Sequence, residues 1–163
     1  MATEKVLVAL DGSENSGRAV EYVGRLVASG AGLVVALLHV ERPPDRDFFA
    51  SEEAWAEAGK ERMAEMKKFL AWACEHLREQ GLSPDRIEEI YMASCRSPVR
   101  PMAEMCSLGT SIARDILKVQ EEGGYNTLVI GRRGVSKAEE FLFGSVTTKV
   151  IHLAKNCTVW VVQ

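Results

Sequence analysis

The sequence predicts an α/β protein in three layers, α/β/α, with a Rossmann-like five-stranded parallel sheet at its centre. Three observations carry this. Short, continuous apolar runs of Val, Leu and Ile have the length of strands buried on both faces. Between them, apolar residues recur at threes and fours, the spacing of an amphipathic helix. The two patterns alternate along the chain as β-α-β-α-β-α-β-α-β, which implies a parallel sheet covered on both sides.

The first strand is read over Val6-Leu7-Val8-Ala9-Leu10, closed by the turn signal Asp11-Gly12-Ser13. Ser13 or Ser16 can cap a helix with the stripe Ala19, Val20, Val23, Leu26, Val27, ended by Gly30 and Gly32. Residues 33–40 form a second buried strand, and Arg42-Pro43-Pro44-Asp45 breaks the chain. A long helix follows from about Ser51 to Gln80. Gly59 lies inside it, and glycine costs roughly 1 kcal/mol against Ala in a helix interior. The first turns, with Phe48 and Phe49, are therefore expected to form a separate piece. Residues 87–92 have the length of a third strand. Another helix carries Ile112, Ala113, Ile116, Leu117 and Val119 and ends at Gly123-Gly124. A fourth strand at Thr127-Leu128-Val129-Ile130 enters Gly131-Arg132-Arg133-Gly134. A last helix opens near Gly144-Ser145, and Thr158-Val159-Trp160-Val161-Val162 is the fifth strand.

No linker, repeat or low-complexity tract divides the chain, so residues 1–163 are read as one domain. Its unusual part is the stretch 94–108, with Pro98 and Pro101 and the cations Arg96 and Arg100; connections this long are often lids or binding loops. With 20 Lys+Arg against 23 Asp+Glu, the charge of −3 gives no reason to expect nucleic acid or a membrane surface as partner. No apolar run approaches the ~20 residues that span a bilayer, and the N-terminus lacks a signal-peptide core. The protein is expected to be cytoplasmic. Cys74, Cys95, Cys106 and Cys157 contain no C-x-x-C pair, so neither a zinc ribbon nor a disulfide framework is expected. The four are read as free thiols, small buried hydrophobes; Cys95 and Cys106 share one irregular stretch with Pro98 and Pro101, and a redox or metal role for that pair is the minor alternative. His39, His76 and His152 lack ligand spacing.

In such a sheet, ligands bind beyond the carboxyl ends of the strands, near the switch in strand order. Two segments at that edge carry chemistry. Asp11-Gly12-Ser13-Glu14-Asn15-Ser16 places an acid at a strand end before a flexible turn, suited to a ribose, a base edge or a metal-bound phosphate; taken alone, its turn preferences favour a plain capped strand-to-helix turn. The second is stronger: Gly131-Arg132-Arg133-Gly134, nine residues, then Gly144-Ser145-Val146-Thr147. Glycines let backbone N–H groups reach phosphate oxygens, Ser145 and Thr147 add hydroxyls, and a helix start favours an anion. Arg132 and Arg133 add fixed positive charge, with Lys137 as a weaker candidate.

At these residues the chain resembles the universal stress protein family, whose nucleotide-binding branch carries G-x-x-G, nine residues, then G-[ST]. Gly131, Gly134, Gly144 and Ser145 match with the spacing intact, and Val8-Ala9-Leu10-Asp11-Gly12-Ser13 is similar to the family's opening strand and turn. The resemblance implies an adenine nucleotide alpha hydrolase-like fold. It implies binding of ATP, AMP or ADP, with Mg²⁺ or Mn²⁺ as accompanying ion. Asp11, Gly12 and Ser13 would lie near the nucleoside and the Val40 backbone against adenine. Gly131, Arg132, Arg133 and Gly134 would line the ribose and phosphate side, and Gly144, Ser145, Val146 and Thr147 would hold phosphates. It also implies a homodimer through the last strand, which is otherwise an edge needing cover. The chain departs from the family in the length of 94–108 and in Thr158, where proline is common.

No convincing general base or nucleophile is present, so slow or absent ATP hydrolysis and a nucleotide-dependent regulatory role in the stress response are expected. Two other readings remain. One is a dimeric interaction module that binds no nucleotide. The other is an adenylating enzyme of the ATP-pyrophosphatase type, whose paired glycines the turn 11–16 lacks.

Overall fold

The computed structural model describes residues 4–99, 106–133 and 143–163. Five strands, β1 (Glu4–Ala9), β2 (Leu33–Val40), β3 (Ile87–Met92), β4 (Thr127–Gly131) and β5 (Thr158–Val162), form a single sheet in the order β3-β2-β1-β4-β5. Every pairing is parallel, with Val6 opposite Val35 and Thr127, and Val129 opposite Trp160. The strand β1 begins at Glu4, before the apolar run, because Glu4 is already paired with Leu33. Four helices pack around the sheet: α1 (Glu14–Ala28), α2 (Glu52–Glu79), α3 (Ile112–Gly123) and α4 (Ser145–Leu153).

Successive strand residues point to opposite faces, and two cores result. Val6, Val8, Val35, Leu37 and Val129 face Val20, Val23, Leu70 and Leu77 of α1 and α2. Leu7, Ala36, Leu38, Leu128 and Ile130 face Ile116, Val119 and Val150 of α3 and α4. This explains why the strands read as continuous apolar runs: a residue on either face is covered. Burying each such Val or Leu contributes roughly 1.5–3 kcal/mol.

Two expectations are corrected. First, Gly59 does not break the long helix. The helix α2 runs unbroken from a Ser51 cap, whose hydroxyl accepts from the Ala54 amide at 3.1 Å. Phe48 belongs to a separate 3-10 turn, Arg46–Phe48, and Trp55 in the first turn of α2 donates its indole N–H to Pro44 O at 2.8 Å. Gly59 is buried because the stretch after β3 crosses it: a Cβ at Gly59 would stand 2.7 Å from Pro98 Cγ and 3.4 Å from Val99 Cγ2. Close approach is gained at the cost in helix propensity.

Second, Cys95 and Cys106 form a disulfide, with Cα atoms 5.1 Å apart; Cys74 and Cys157 are free. The backbone brings the pair together. Ser94 and Ser107 form an isolated parallel bridge, the Cys95 amide donates to Ser107 O at 2.8 Å, and the Ser107 amide donates to Ala93 O at 2.8 Å. Nothing in the spacing of the two cysteines announces that bridge. Cys74 behaves as expected of a half-buried thiol: burial, then the Glu89 carboxylate, pushes its pKa up to about 11.

Candidate functional site

The chain leaves β1 toward β2 and later returns to β1's other side as β4. The strand order therefore reverses between β1 and β4, and a crevice is expected beyond their carboxyl ends. The turn after β1 is built locally. Gly12, with φ +78°, bends the chain in a conformation other side chains resist. Asp11 Oδ1 accepts from the Ser13 amide at 3.0 Å and from Ser16 Oγ at 3.1 Å. Ser13 caps α1, its hydroxyl accepting from the Ser16 amide at 3.2 Å.

The turn after β4 is pressed against the first. A Cβ on Gly131 would lie 2.9 Å from Asn15 Cβ and 3.0 Å from the Asn15 carbonyl carbon. Asn15 Nδ2 donates to Arg133 O at 3.1 Å. The start of α4 is tied to the same strand end. Thr147, buried, donates its hydroxyl to Gly131 O at 2.8 Å, and the Gly144 amide donates to Arg132 O at 3.0 Å. Gly144 is the residue before the helix and carries no side chain to cap it. The first N–H groups of α4 have no intrahelical partner and, among the described residues, no side-chain cap, the arrangement that suits an anion.

Beside this start lies a cleft of about 120 Å³. Its lining includes Ser145, Val146 and Lys149 of α4, Thr110 and Ser111 before α3, and Glu41 just after β2. Of the residues read from the sequence, Ser145 and Val146 line it. Val40, the last residue of β2, is buried immediately before Glu41. Asp11, Gly12 and Ser13, and with them Gly131 and Arg133, sit on the adjoining pair of turns. Arg132 turns toward β5: its amide donates to Val162 O at 2.6 Å and its Nη1 to Gln163 Oε1 at 2.7 Å. Gly134, Lys137 and Arg100 lie outside the described residues, and Arg96 is exposed.

Sequence reasoning missed Glu41. Its carboxylate is buried, accepting from the Ser94 amide at 2.6 Å and from Ser97 Oγ at 2.8 Å. An acid directly after a strand, at the ligand-facing edge, was the available signal. The same edge holds His39, whose Nδ1 donates to Leu10 O at 2.8 Å and whose ring centroid is 5.3 Å from that of Tyr91. Burial holds the His39 imidazole below its ordinary 6.5, although the Leu10 carbonyl and the Asp11 and Glu41 carboxylates pull the other way. Burial and then the Glu41 charge raise the Tyr91 phenol well above its usual range. Among the described residues, no group of three or more His, Cys, Asp or Glu gathers to hold a metal ion, and no helix is long and apolar enough to cross a membrane.

A five-stranded parallel sheet in the order β3-β2-β1-β4-β5, with helices on both faces, defines a three-layer α/β/α protein of Rossmann-like build. The universal stress protein family model matches residues 2–163, and the chain belongs to that family. It is 29% identical over 166 residues to the universal stress protein YxiE of Bacillus subtilis (strain 168), covering 98% of both chains. Among solved structures, it resembles the universal stress protein from Archaeoglobus fulgidus in complex with dAMP, at 22% identity and TM-score 0.61, covering 98% of both chains. It also resembles a universal stress protein in complex with cAMP, at 23% identity and TM-score 0.61, covering 100% of this chain and 98% of the other.

Proposed function

We infer that this universal stress protein binds an adenine nucleotide (ATP, or AMP or ADP) at the carboxyl edge of β1, β2 and β4. One observation carries the reading: the start of α4, with no side-chain cap from Gly144, is fastened through Thr147 and Gly144 to the end of β4, against which Asn15 also packs. The dAMP and cAMP held by the two solved relatives support it. The backbone of Ser145, Val146 and Thr147 would hold phosphate, with Lys149 beside it. The Val40 backbone would face the base, and the Asp11-Gly12-Ser13 turn with Gly131, Arg133 and Gly134 would line the ribose side. Ligand pockets usually measure about 300–1,000 Å³. The cleft of about 120 Å³ is smaller, so a nucleotide would extend from it along the open strand ends. Mg²⁺ or Mn²⁺ would be held mainly through nucleotide phosphates, which matches the lack of a protein cage among the described residues.

The groups described at this edge are binding groups, and the nucleotide would act as a regulatory ligand in the stress response, with slow or no hydrolysis. The molecule is read as a cytoplasmic homodimer. The strand β5 ends the sheet with Val159, Trp160, Val161 and Val162 only half-buried, an edge suited to pairing with its twofold mate. A thermal-shift panel of ATP, AMP and GTP, with and without Mg²⁺, tests the nucleotide reading. A ligand at 100-fold its Kd adds about 2.7 kcal/mol. Adenine nucleotides should raise the Tm and GTP should not. Equal shifts with ATP and GTP would contradict adenine recognition.

A further inference from the structure

We propose that Cys95–Cys106 is a redox-active disulfide through which a dithiol reductant sets the affinity of the cleft. This rests on the nucleotide reading above.

The disulfide ties together two segments that both continue into the cleft wall. Cys95 lies inside the turn Ser94–Ser97, and that turn is clamped on Glu41 by the Ser94 amide and the Ser97 hydroxyl, one on each carboxylate oxygen. Cys106 immediately precedes Ser107, which is fastened on three sides. Its amide donates to Ala93 O and its carbonyl accepts from Cys95. Its hydroxyl donates to Asp115 Oδ2 of α3 at 2.6 Å and accepts from the Gly109 amide at 3.0 Å. Glu41 lines the cleft, and so do Gly109, Thr110 and Ser111. A two-atom sulfur link thus joins the support of Glu41 to the root of the 109–111 segment.

The link does not hold the fold. Both cores are packed between sheet and helices without either cysteine. The bridge spans a sequence separation of 11 on a surface connection. Both cysteines are half-buried, so a small thiol reaches them. In a reducing compartment, such a peripheral disulfide is the kind that forms and breaks as a sensor. The chemistry balances as thiol–disulfide exchange. A thiolate of the reductant attacks one Sγ and the S–S bond breaks. Its electron pair leaves on the other Sγ, which takes a proton. The second thiol of the reductant then resolves the mixed disulfide. The cysteine pair gains two electrons and two protons, and the dithiol becomes a cyclic disulfide.

Once reduced, the Ser94–Ser97 turn and Ser107 lose the sulfur cross-link and are held by the backbone hydrogen bonds of Cys95 and Ser107, so the Glu41 clamp and the approach to α3 are coupled more loosely. ATP binding should be titrated for the full chain in air-oxidised and dithiothreitol-reduced form, with the Cys95→Ser/Cys106→Ser double variant alongside. The reduced protein should bind ATP about fivefold or more weakly, and reoxidation should restore the affinity. The double variant should match the reduced form and ignore reductant. Hydrogen exchange supplies a readout without ligand: the amides of Cys95, Ser107 and Gly109 should exchange faster after reduction. Equal ATP affinity in the two forms would overturn the inference and leave the nucleotide reading standing. Unchanged exchange, or four free thiols in the oxidised protein after denaturation, would also overturn it. Absence of ATP binding in both forms would overturn the nucleotide reading, and this inference with it.

Discussion

Thr147 donates its buried hydroxyl to Gly131 O at 2.8 Å, and through that bond the start of α4 is set against the end of β4. The two residues are 16 apart in sequence, yet they fix where the α4 amides stand relative to the strand edge. Thr147→Val keeps the shape and leaves the Gly131 carbonyl short of a donor, which costs about 1–3 kcal/mol. Urea denaturation is the check: the midpoint should fall, and Thr147→Ser should recover most of it. An unchanged midpoint in the Val variant would contradict the role given to this bond.

Gly131 admits no side chain for a different reason. A Cβ there meets the Asn15 side chain and backbone at 2.9–3.0 Å, and backbone moves only with the whole turn. Gly131→Ala should therefore destabilise by about 1–3 kcal/mol, the usual range for an overpacked site. Calorimetric melting would measure it, and a Tm equal to the wild type would mean the two turns are not in contact.

Gly144 has φ −64° and ψ 158°, a backbone conformation open to any residue. Gly144→Val should fold normally but fill the space in front of the α4 amides. ATP affinity is expected to drop roughly tenfold or more, about 1.4 kcal/mol. Circular dichroism establishes the fold, and titration of the same sample gives the affinity. A folded variant that keeps full affinity would move the phosphate site elsewhere.

Gly59→Ala sets two effects against each other. In an exposed helix interior the change gains about 1 kcal/mol. Here the new methyl would stand 2.7 Å from Pro98 Cγ, part of a ring that cannot rotate away. The net effect should be destabilising. A rise in Tm would show that the stretch after β3 does not rest on α2.

His39 gives the protein an acid-sensitive term. Burial depresses its folded pKa below the ordinary 6.5. As the pH falls through 6.5, the unfolded chain takes up a proton that the folded chain resists, so the unfolded state binds more protons. Stability is then lost from about pH 6.5 down toward the folded value and is fully present above 6.5. His39→Leu removes this term, and its stability should fall less between pH 7 and pH 5 than that of the wild type. Parallel slopes in the two proteins would exclude His39 as the source.

The strands were legible because both faces of the sheet are covered. Residues 33–40 and 158–162 appear in the structure with the bounds their apolar runs suggest, and 87–92, read from its length alone, appears as the edge strand β3 with Glu88 and Glu89 exposed. The glycine motif was legible because its spacing is a local signal, and its match to the family stands in the sequence alone. What escaped the sequence depends on contacts between distant segments. Gly59 reads as a helix breaker until Pro98 is seen lying on it. Cys95 and Cys106 read as buried thiols until Ser94 and Ser107 pair beside them. Glu41, not singled out from the sequence, is satisfied by residues 53 and 56 positions away. Periodicity and composition carry no information about such pairs.

An adenine-nucleotide site at the start of α4 is tested most directly by calorimetric titration of ATP into protein that has been unfolded, stripped of any co-purified small molecule and refolded. One saturable site per chain is expected, with heat lost in Gly144→Val. A refolded, native-like protein that gives no binding heat with ATP, ADP or AMP at any of several temperatures would contradict it.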